Sequence, residues 1–234
     1  MEDQMVISLV VASIVIFLTL LAFWLKKKAT ESNTILLVGL TDSGKTLIFS
    51  KLINGRAVAT YTSMKENEYP SYEVANGSRK VKLVDVPGAD RLRQRLQSHW
   101  LGKEGATVKG IVCVVDSATF SKRAKDVAEF LYDVLYESKR VPLLVACNKQ
   151  DQSIAKSAEA IKTTLEKEFG LINKTRSSAL ASTDGDSRKR TLTSSDKPFA
   201  WSDLKRSVKF VECAAVDDGA DFDLSPVEKW IGSV

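Results

Sequence analysis

Eight residues, Gly39-Leu40-Thr41-Asp42-Ser43-Gly44-Lys45-Thr46, constrain this chain more than any other stretch. They follow a short apolar run, Thr34 to Val38, and precede a helix-like run beginning at Leu47. Strand, glycine-bounded loop and helix is the context that makes G-x-x-x-x-G-K-T a phosphate-binding loop. Gly39 and Gly44 permit backbone angles that aim successive N–H groups at one anion, and the new helix turns its positive end toward the same point. Lys45 is expected to reach the outer phosphates, and the Thr46 hydroxyl to ligate Mg²⁺.

The amino terminus carries a second constraint. From Met5 to Leu25 no residue is charged, and fourteen positions from Val6 onward are Val, Ile, Leu or Phe. Such residues favour bilayer insertion by roughly 4–8 kcal/mol in total, and twenty-one residues of helix cross a hydrocarbon core of about 30 Å. Glu2 and Asp3 precede the run and Lys26-Lys27-Lys28 follow it. The acidic start, the length and the lack of a small-residue cleavage site argue against a removed signal peptide. A buried core helix would not be apolar on every face. The expectation is a short lumenal tail (1–4), a single-pass signal anchor (5–25), a basic linker (26–33) and a cytosolic domain (34–234), oriented by the positive-inside rule.

Within that domain apolar strands alternate with helical stretches, which predicts an α/β fold: a mostly parallel sheet with helices on both faces. Strands are expected at Ser71–Ala75, Val81–Val86, Gly110–Asp116, Pro142–Cys147 and Val208–Cys213, with Asn76-Gly77 closing a hairpin between the first two. Helices are expected at about Ser121–Ser138, Ile154–Phe169 and Ser225–Ile231, and a polar one ends near Trp100. Arg56 to Pro70 reads as an exposed loop. Residues 173–198 hold ten Ser/Thr and six Lys/Arg, too polar to bury much surface, and read as a flexible insertion. Phe199 and Trp201 either seed an edge strand or cover the sheet.

Composition excludes several functions. A net charge of +5 is too small to argue a nucleic-acid site. Three cysteines, Cys113, Cys147 and Cys213, lack zinc-ligand spacing and suit buried free thiols. One histidine, His99, cannot build a triad or a metal cluster.

Three motifs join the phosphate loop, each at a predicted strand end or loop. Asp85-x-x-Gly88 would set a carboxylate near Mg²⁺ through water and an N–H near the last phosphate. Thr60-Tyr61-Thr62-Ser63 supplies hydroxyls able to close over a nucleotide. Asn148-Lys149-x-Asp151 is the most discriminating. A carboxylate at 151 accepts from both guanine donors, which adenine lacks, and Lys149 would lay its stem along the base.

In this order the motifs match the small GTPases, with a phosphate loop closest to the Arf/Sar branch. With the anchor, TYTS and NKQD, the chain resembles the β-subunit family of the signal recognition particle (SRP) receptor. The resemblance implies GTP/GDP and Mg²⁺ as cofactors, with Thr46, Thr62 and Asp85 (through water) around the metal. Gly39 to Leu47 (Leu47 included), Thr60 to Ser63, Gly88, Asn148, Lys149 and Asp151 would surround the nucleotide, and the Ala215 N–H would point to guanine O6. It implies residence in the endoplasmic-reticulum membrane, a heterodimer with the SRP receptor α subunit, and proximity to translocon or ribosome. One departure stands out. Ras- and Arf-like enzymes place Gln after D-x-x-G and receptor β subunits place His, whereas this chain has Ala89, which cannot orient water, so very slow intrinsic hydrolysis is expected. Thr41, where many GTPases have Gly, adds bulk nearby. The alternatives are an Arf-like timer in vesicle traffic, disfavoured by a permanent anchor, and a P-loop ATPase or kinase, disfavoured by Asp151.

Overall fold

The computed structural model describes residues 12–21, 33–56, 65–74, 77, 79–138, 140–181, 191–193, 197–216 and 223–234. The chain divides into two units, Met1–Ser32 and Asn33–Val234. In the first, residues 12–21 are helical and all exposed. The Thr19 hydroxyl donates to the Ile16 carbonyl at 2.8 Å, which spends its polar group on its own backbone. Among the described residues no helix is long and apolar enough to cross a membrane. Residues 5–11 and 22–25 of the expected anchor, and the linker through Ser32, lie outside the described residues.

The second unit is built on six strands: β1 (Thr34–Val38), β2 (Asn67–Glu73), β3 (Lys80–Asp85), β4 (Val108–Asp116), β5 (Leu143–Asn148) and β6 (Val208–Glu212). Their order across the sheet is β2-β3-β1-β4-β5-β6. Only β2, on the edge, runs antiparallel to its neighbour. β1 and β5 are buried along their whole length, the near-continuous apolar run of a strand covered on both faces.

Side chains alternate between two cores, as a period of two requires. Leu36 and Val38 face one core, with Val127 and Leu131 of α2 (Phe120–Glu137) and Leu165 and Phe169 of α3 (Ala158–Ala181). Ile35 and Leu37 face the other, with Ile48 of α1 (Lys45–Asn54) and Trp230 of α4 (Ser225–Ser233). Val127, Leu131 and Leu135 form one buried stripe of α2. Cys113, Cys147 and Cys213 are buried free thiols.

Three expectations need correction. β2 starts at Asn67, inside the stretch that lacked periodicity, and carries Pro70; its register to β3 shifts between Tyr69 and Tyr72. An edge strand with an irregularity is where a sheet tolerates proline. α3 starts at Ala158 rather than Ile154 and continues through Ala181, past Asn173 where the polar composition indicated a loop. Asn173 is buried: Tyr132 Oη donates to its Oδ1, and its Nδ2 donates to Thr193 Oγ1 at 2.7 Å. Arg176 pairs with Asp133 at 2.8 Å and lies 4.5 Å over the Tyr132 ring. Specific polar pairing with α2 does there what apolar burial does elsewhere, and residues 182–190 lie outside the described residues. The polar stretch ending near Trp100 is a 3-10 turn (Asp90–Leu92), one α turn (Arg93–Arg95) and a π-helical run (Leu96–Lys103).

Phe199 and Trp201 cover the sheet. Phe199 lies 5.1 Å from Phe169, Trp201 lies 5.0 Å from Phe210, and the Trp201 indole donates to the Lys162 carbonyl at 3.2 Å. Phe169, fully buried, also meets Tyr132 at 5.4 Å. Replacing it with alanine removes the hub of this ring cluster. Phe169→Ala is expected to destabilise the domain by about 3–5 kcal/mol in chemical denaturation.

Candidate functional site

The loop after β1 is folded by left-handed backbone at three positions: Gly39 (φ 147), Asp42 (φ 66) and Gly44 (φ 90). A side chain at Gly39 would overlap the Val114 carbonyl, and one at Gly44 would overlap the Asn148 amide. Glycine is needed here for both angle and space. Leu40 and Ser43 are buried, Thr41 is half-buried and Asp42 is exposed. Lys45, nearly buried, donates to the Leu40 carbonyl at 2.8 Å and reaches Ser43 Oγ at 3.4 Å. Burial pushes the Lys45 ammonium below its ordinary value, against the pull of Asp85, which raises it.

Asp85 ends β3, directly beside Leu37 of β1, and is fully buried. Its Oδ2 accepts from Thr46 Oγ1 at 2.8 Å and from Asn67 Nδ2 at 3.1 Å. Its Oδ1 is buried with no hydrogen-bond partner among the described residues. Burial raises the carboxyl's proton affinity, opposed by those two hydrogen bonds and by Lys45. A Cβ on Gly88 would stand 2.7 Å from both Gly39 O and Lys45 Nζ, so the D-x-x-G turn closes onto the phosphate loop only with glycine there. Ala89 follows in extended backbone (φ −69, ψ 135). Its carbonyl accepts from Leu92 N at 2.8 Å, and its side chain is a methyl. Thr60, Tyr61, Thr62 and Ser63 lie outside the described residues.

On the far side, Asn148 ends β5 opposite Asp116 of β4. Its Nδ2 donates to the Ser43 carbonyl at 2.9 Å. Its Oδ1 accepts from the Ala215 N–H at 3.0 Å and from Cys213 Sγ at 3.9 Å. One buried amide therefore ties the loop to the segment after β6. The Ala215 N–H, expected to point to guanine O6, donates here to the Asn148 side chain. Lys149 adopts left-handed backbone (φ 67), and its ammonium pairs with Asp116 Oδ2 at 2.9 Å. Asp116 Oδ1 accepts from the N–H groups of Ala118 and Thr119, at 2.9 and 3.1 Å. Burial works against that carboxylate, but the Lys149 and Thr119 hydrogen bonds win and hold its pKa below the ordinary value. Asp151 is exposed. The positions so assembled, from the phosphate loop, Asp85, Gly88 and Asn148 to Asp151, all lie at the carboxyl ends of β1, β3 and β5, where open α/β sheets bind ligands.

Sequence reasoning missed Asp116, Asn67 and Arg123. Asp116 had a signal, an acid closing a buried strand on the site's side of the sheet. Asn67 had none, since it falls in a stretch without periodicity. Arg123 donates to the Thr41 carbonyl at 3.1 Å, a contact across 82 residues of chain that no spacing announces. In the segment after the D-x-x-G turn, Arg93 pairs with Asp90 at 2.8 Å and Arg95 with Glu66. His99 is half-buried, edge-on to Trp100 at 5.0 Å.

A six-stranded sheet in this order, with a phosphate loop after β1 and a carboxylate closing β3, is a small-GTPase domain of the P-loop class. Residues 30–208 match the family model described as signal recognition particle receptor beta subunit. A rat relative, signal recognition particle receptor subunit beta of Rattus norvegicus, is 39% identical over 100% of this chain and 88% of its own length. The chain thus belongs to the family of SRP receptor β subunits. Among solved structures, that of the mammalian SRP receptor is 39% identical, with a TM-score of 0.73 over 86% of this chain and 98% of the other. The GDP form of the receptor β protein from Chaetomium thermophilum is 25% identical, with a TM-score of 0.66 over 87% and 97%.

Asn148→Ala would leave the Ser43 carbonyl and the Ala215 N–H buried and unpaired. A loss of about 1–3 kcal/mol is expected, read as a lowered melting temperature in ligand-free protein.

Proposed function

We propose that this cleft binds GTP or GDP with Mg²⁺, and that the chain, anchored through residues 5–25 in the endoplasmic-reticulum membrane with its domain in the cytosol, holds the α subunit of the SRP receptor there. The observation that carries the nucleotide reading is the buried Asp85 carboxylate. One of its oxygens is tied to Thr46 and Asn67 and the other has no partner among the described residues, with the buried Lys45 ammonium in electrostatic reach. Burying an ionisable pair is costly unless something further compensates it. An oxyanion and a hard cation do so: Mg²⁺ takes oxygen ligands and keeps several waters, which suits a hydroxyl at Thr46 and a carboxylate acting through water. The Gly39–Gly44 loop and Gly88, whose α-carbons leave no room for a side chain, form a cradle lined by backbone N–H groups.

Residues 39–47 and Gly88 would hold the phosphates, and Thr60, Tyr61, Thr62 and Ser63 would close over them, with Thr62 as a further metal ligand. Asp151 would accept from both guanine donors, and Lys149, steadied by Asp116, would pack along the base. Bound Mg²⁺ would neutralise charge between the outer phosphates. This chain's residues grip and select, but Ala89 offers no group to position a water. The domain therefore works as a GTP-dependent binding module with very slow turnover of its own. The anchor reading rests on the uncharged run 5–25 and the lysines behind it. The partner reading rests on the family: a β subunit implies an α subunit, and a pull-down of SRP receptor α by GTP-loaded against GDP-loaded protein tests it.

Asp151→Asn replaces one of two acceptor oxygens with a donor that faces a guanine donor, and is expected to weaken guanine nucleotide binding by about tenfold or more, with retained discrimination against ATP in a competition assay refuting the assignment. In single-turnover decay of bound GTP, the unmodified chain is expected to be slow, and Ala89→Gln faster by about tenfold or more. Equal rates would remove Ala89 as the cause.

A further inference from the structure

Arg123 stands at the one break in α2. Its φ of −119° and ψ of 15° are the only non-helical angles between Phe120 and Glu137, so its side chain leaves the path that the helix would give it. The guanidinium crosses to the phosphate loop and donates to the Thr41 carbonyl at 3.1 Å. Lys45 donates to the adjacent carbonyl, Leu40, at 2.8 Å. Two cations from different elements thus meet neighbouring peptides of one loop. Arg123 is close enough to Lys45 to help lower its proton affinity, so both charges act on the same space. Among the described residues its one ion pair is loose, with Asp126 at 3.8 Å, and its side chain is 38% exposed. That leaves most of its five donors available and the head free to shift.

The start of α2 is fixed from the other direction. Asp116 holds the N–H groups of Ala118 and Thr119 and also the Lys149 ammonium. The helix that carries Arg123 is therefore referenced to the base side of the cleft, while Arg123 itself reaches the phosphate side. Thr41 has no counterpart to the Lys45 contact without it, and a planar guanidinium suits phosphate oxygens better than any other side chain.

We propose that Arg123 is a specificity-determining residue for the number of phosphates: it contacts the terminal phosphate of a nucleoside triphosphate and makes this site prefer triphosphate over diphosphate. The inference rests on the nucleotide reading above. It deepens that reading, because a site with Ala89 after the D-x-x-G turn has no side chain there to sense the last phosphate.

The test is the affinity of full-length protein in detergent for a non-hydrolysable GTP analogue and for GDP, each with Mg²⁺, in the unmodified chain and in Arg123→Gln, Arg123→Ala and Arg123→Lys. The expected result is an analogue affinity lower by about ten- to a hundredfold in the Gln and Ala variants, the range of one charge-assisted hydrogen bond. GDP affinity should stay within about threefold in the same variants, and Lys should recover part of the loss. Melting curves of the ligand-free variants show whether the loop has lost its pin. Equal weakening of both nucleotides would overturn the proposal and leave Arg123 as a support for Thr41, and so would no weakening of either. An unmodified chain that binds neither nucleotide would sink the functional reading, and this inference with it.

Discussion

Two ionisable side chains taken out of water, Lys45 and Asp85, set the terms for everything around them. One opens α1 and the other ends β3, and burial drives each toward its neutral form. A core that was only structural would place apolar groups here, because a buried ion pair contributes little net stability and costs much when a partner is lost. The surrounding structure is arranged to hold them nonetheless. Thr46 and Asn67 approach one carboxylate oxygen, and the Leu40 carbonyl and Ser43 hydroxyl receive the ammonium. Glycine at 39 lets backbone approach Ser43 and glycine at 88 lets it approach Leu40 and Lys45. A site so constructed is poised for an anion and a hard cation.

Asn148 adds to the ties that Lys45 and Arg123 make on the loop's carbonyls. A loop with three left-handed residues has little to hold it in place locally. The Asn148 amide anchors its Ser43 carbonyl to β5 and, through Ala215, to the segment after β6. One side chain at the end of β5 thereby ties the turn to two distant segments. Asp116 performs the analogous task for the base side, locking Lys149 and the first turn of α2 with a single carboxylate.

α2 connects these parts to the segment that follows the D-x-x-G turn. Arg93 in that segment lies 5.4 Å over the Phe130 ring, and Arg123 at the other end of the same helix touches the phosphate loop. Beside the two contacts α2 packs on the sheet through Val127 and Leu131.

Much was determined by sequence alone, for reasons that are local. Buried parallel strands are continuous apolar runs, a phosphate loop is contiguous and needs glycine at fixed offsets, and the acid at 151 follows directly on the strand that carries Asn148. Those readings depend on neighbours in the chain. What the tertiary structure decided depends on neighbours in space. Asn67 reaches Asp85 from an edge strand whose proline and register shift hide its period. The polar residues after Asn173 stay helical because Tyr132 and Asp133, on another helix, supply their partners. The Ala215 N–H turns inward because Asn148 is within reach. Arg123 meets Thr41 because a helix breaks at one residue. Hydrogen bonds between distant segments have no period, so only the folded chain can reveal them.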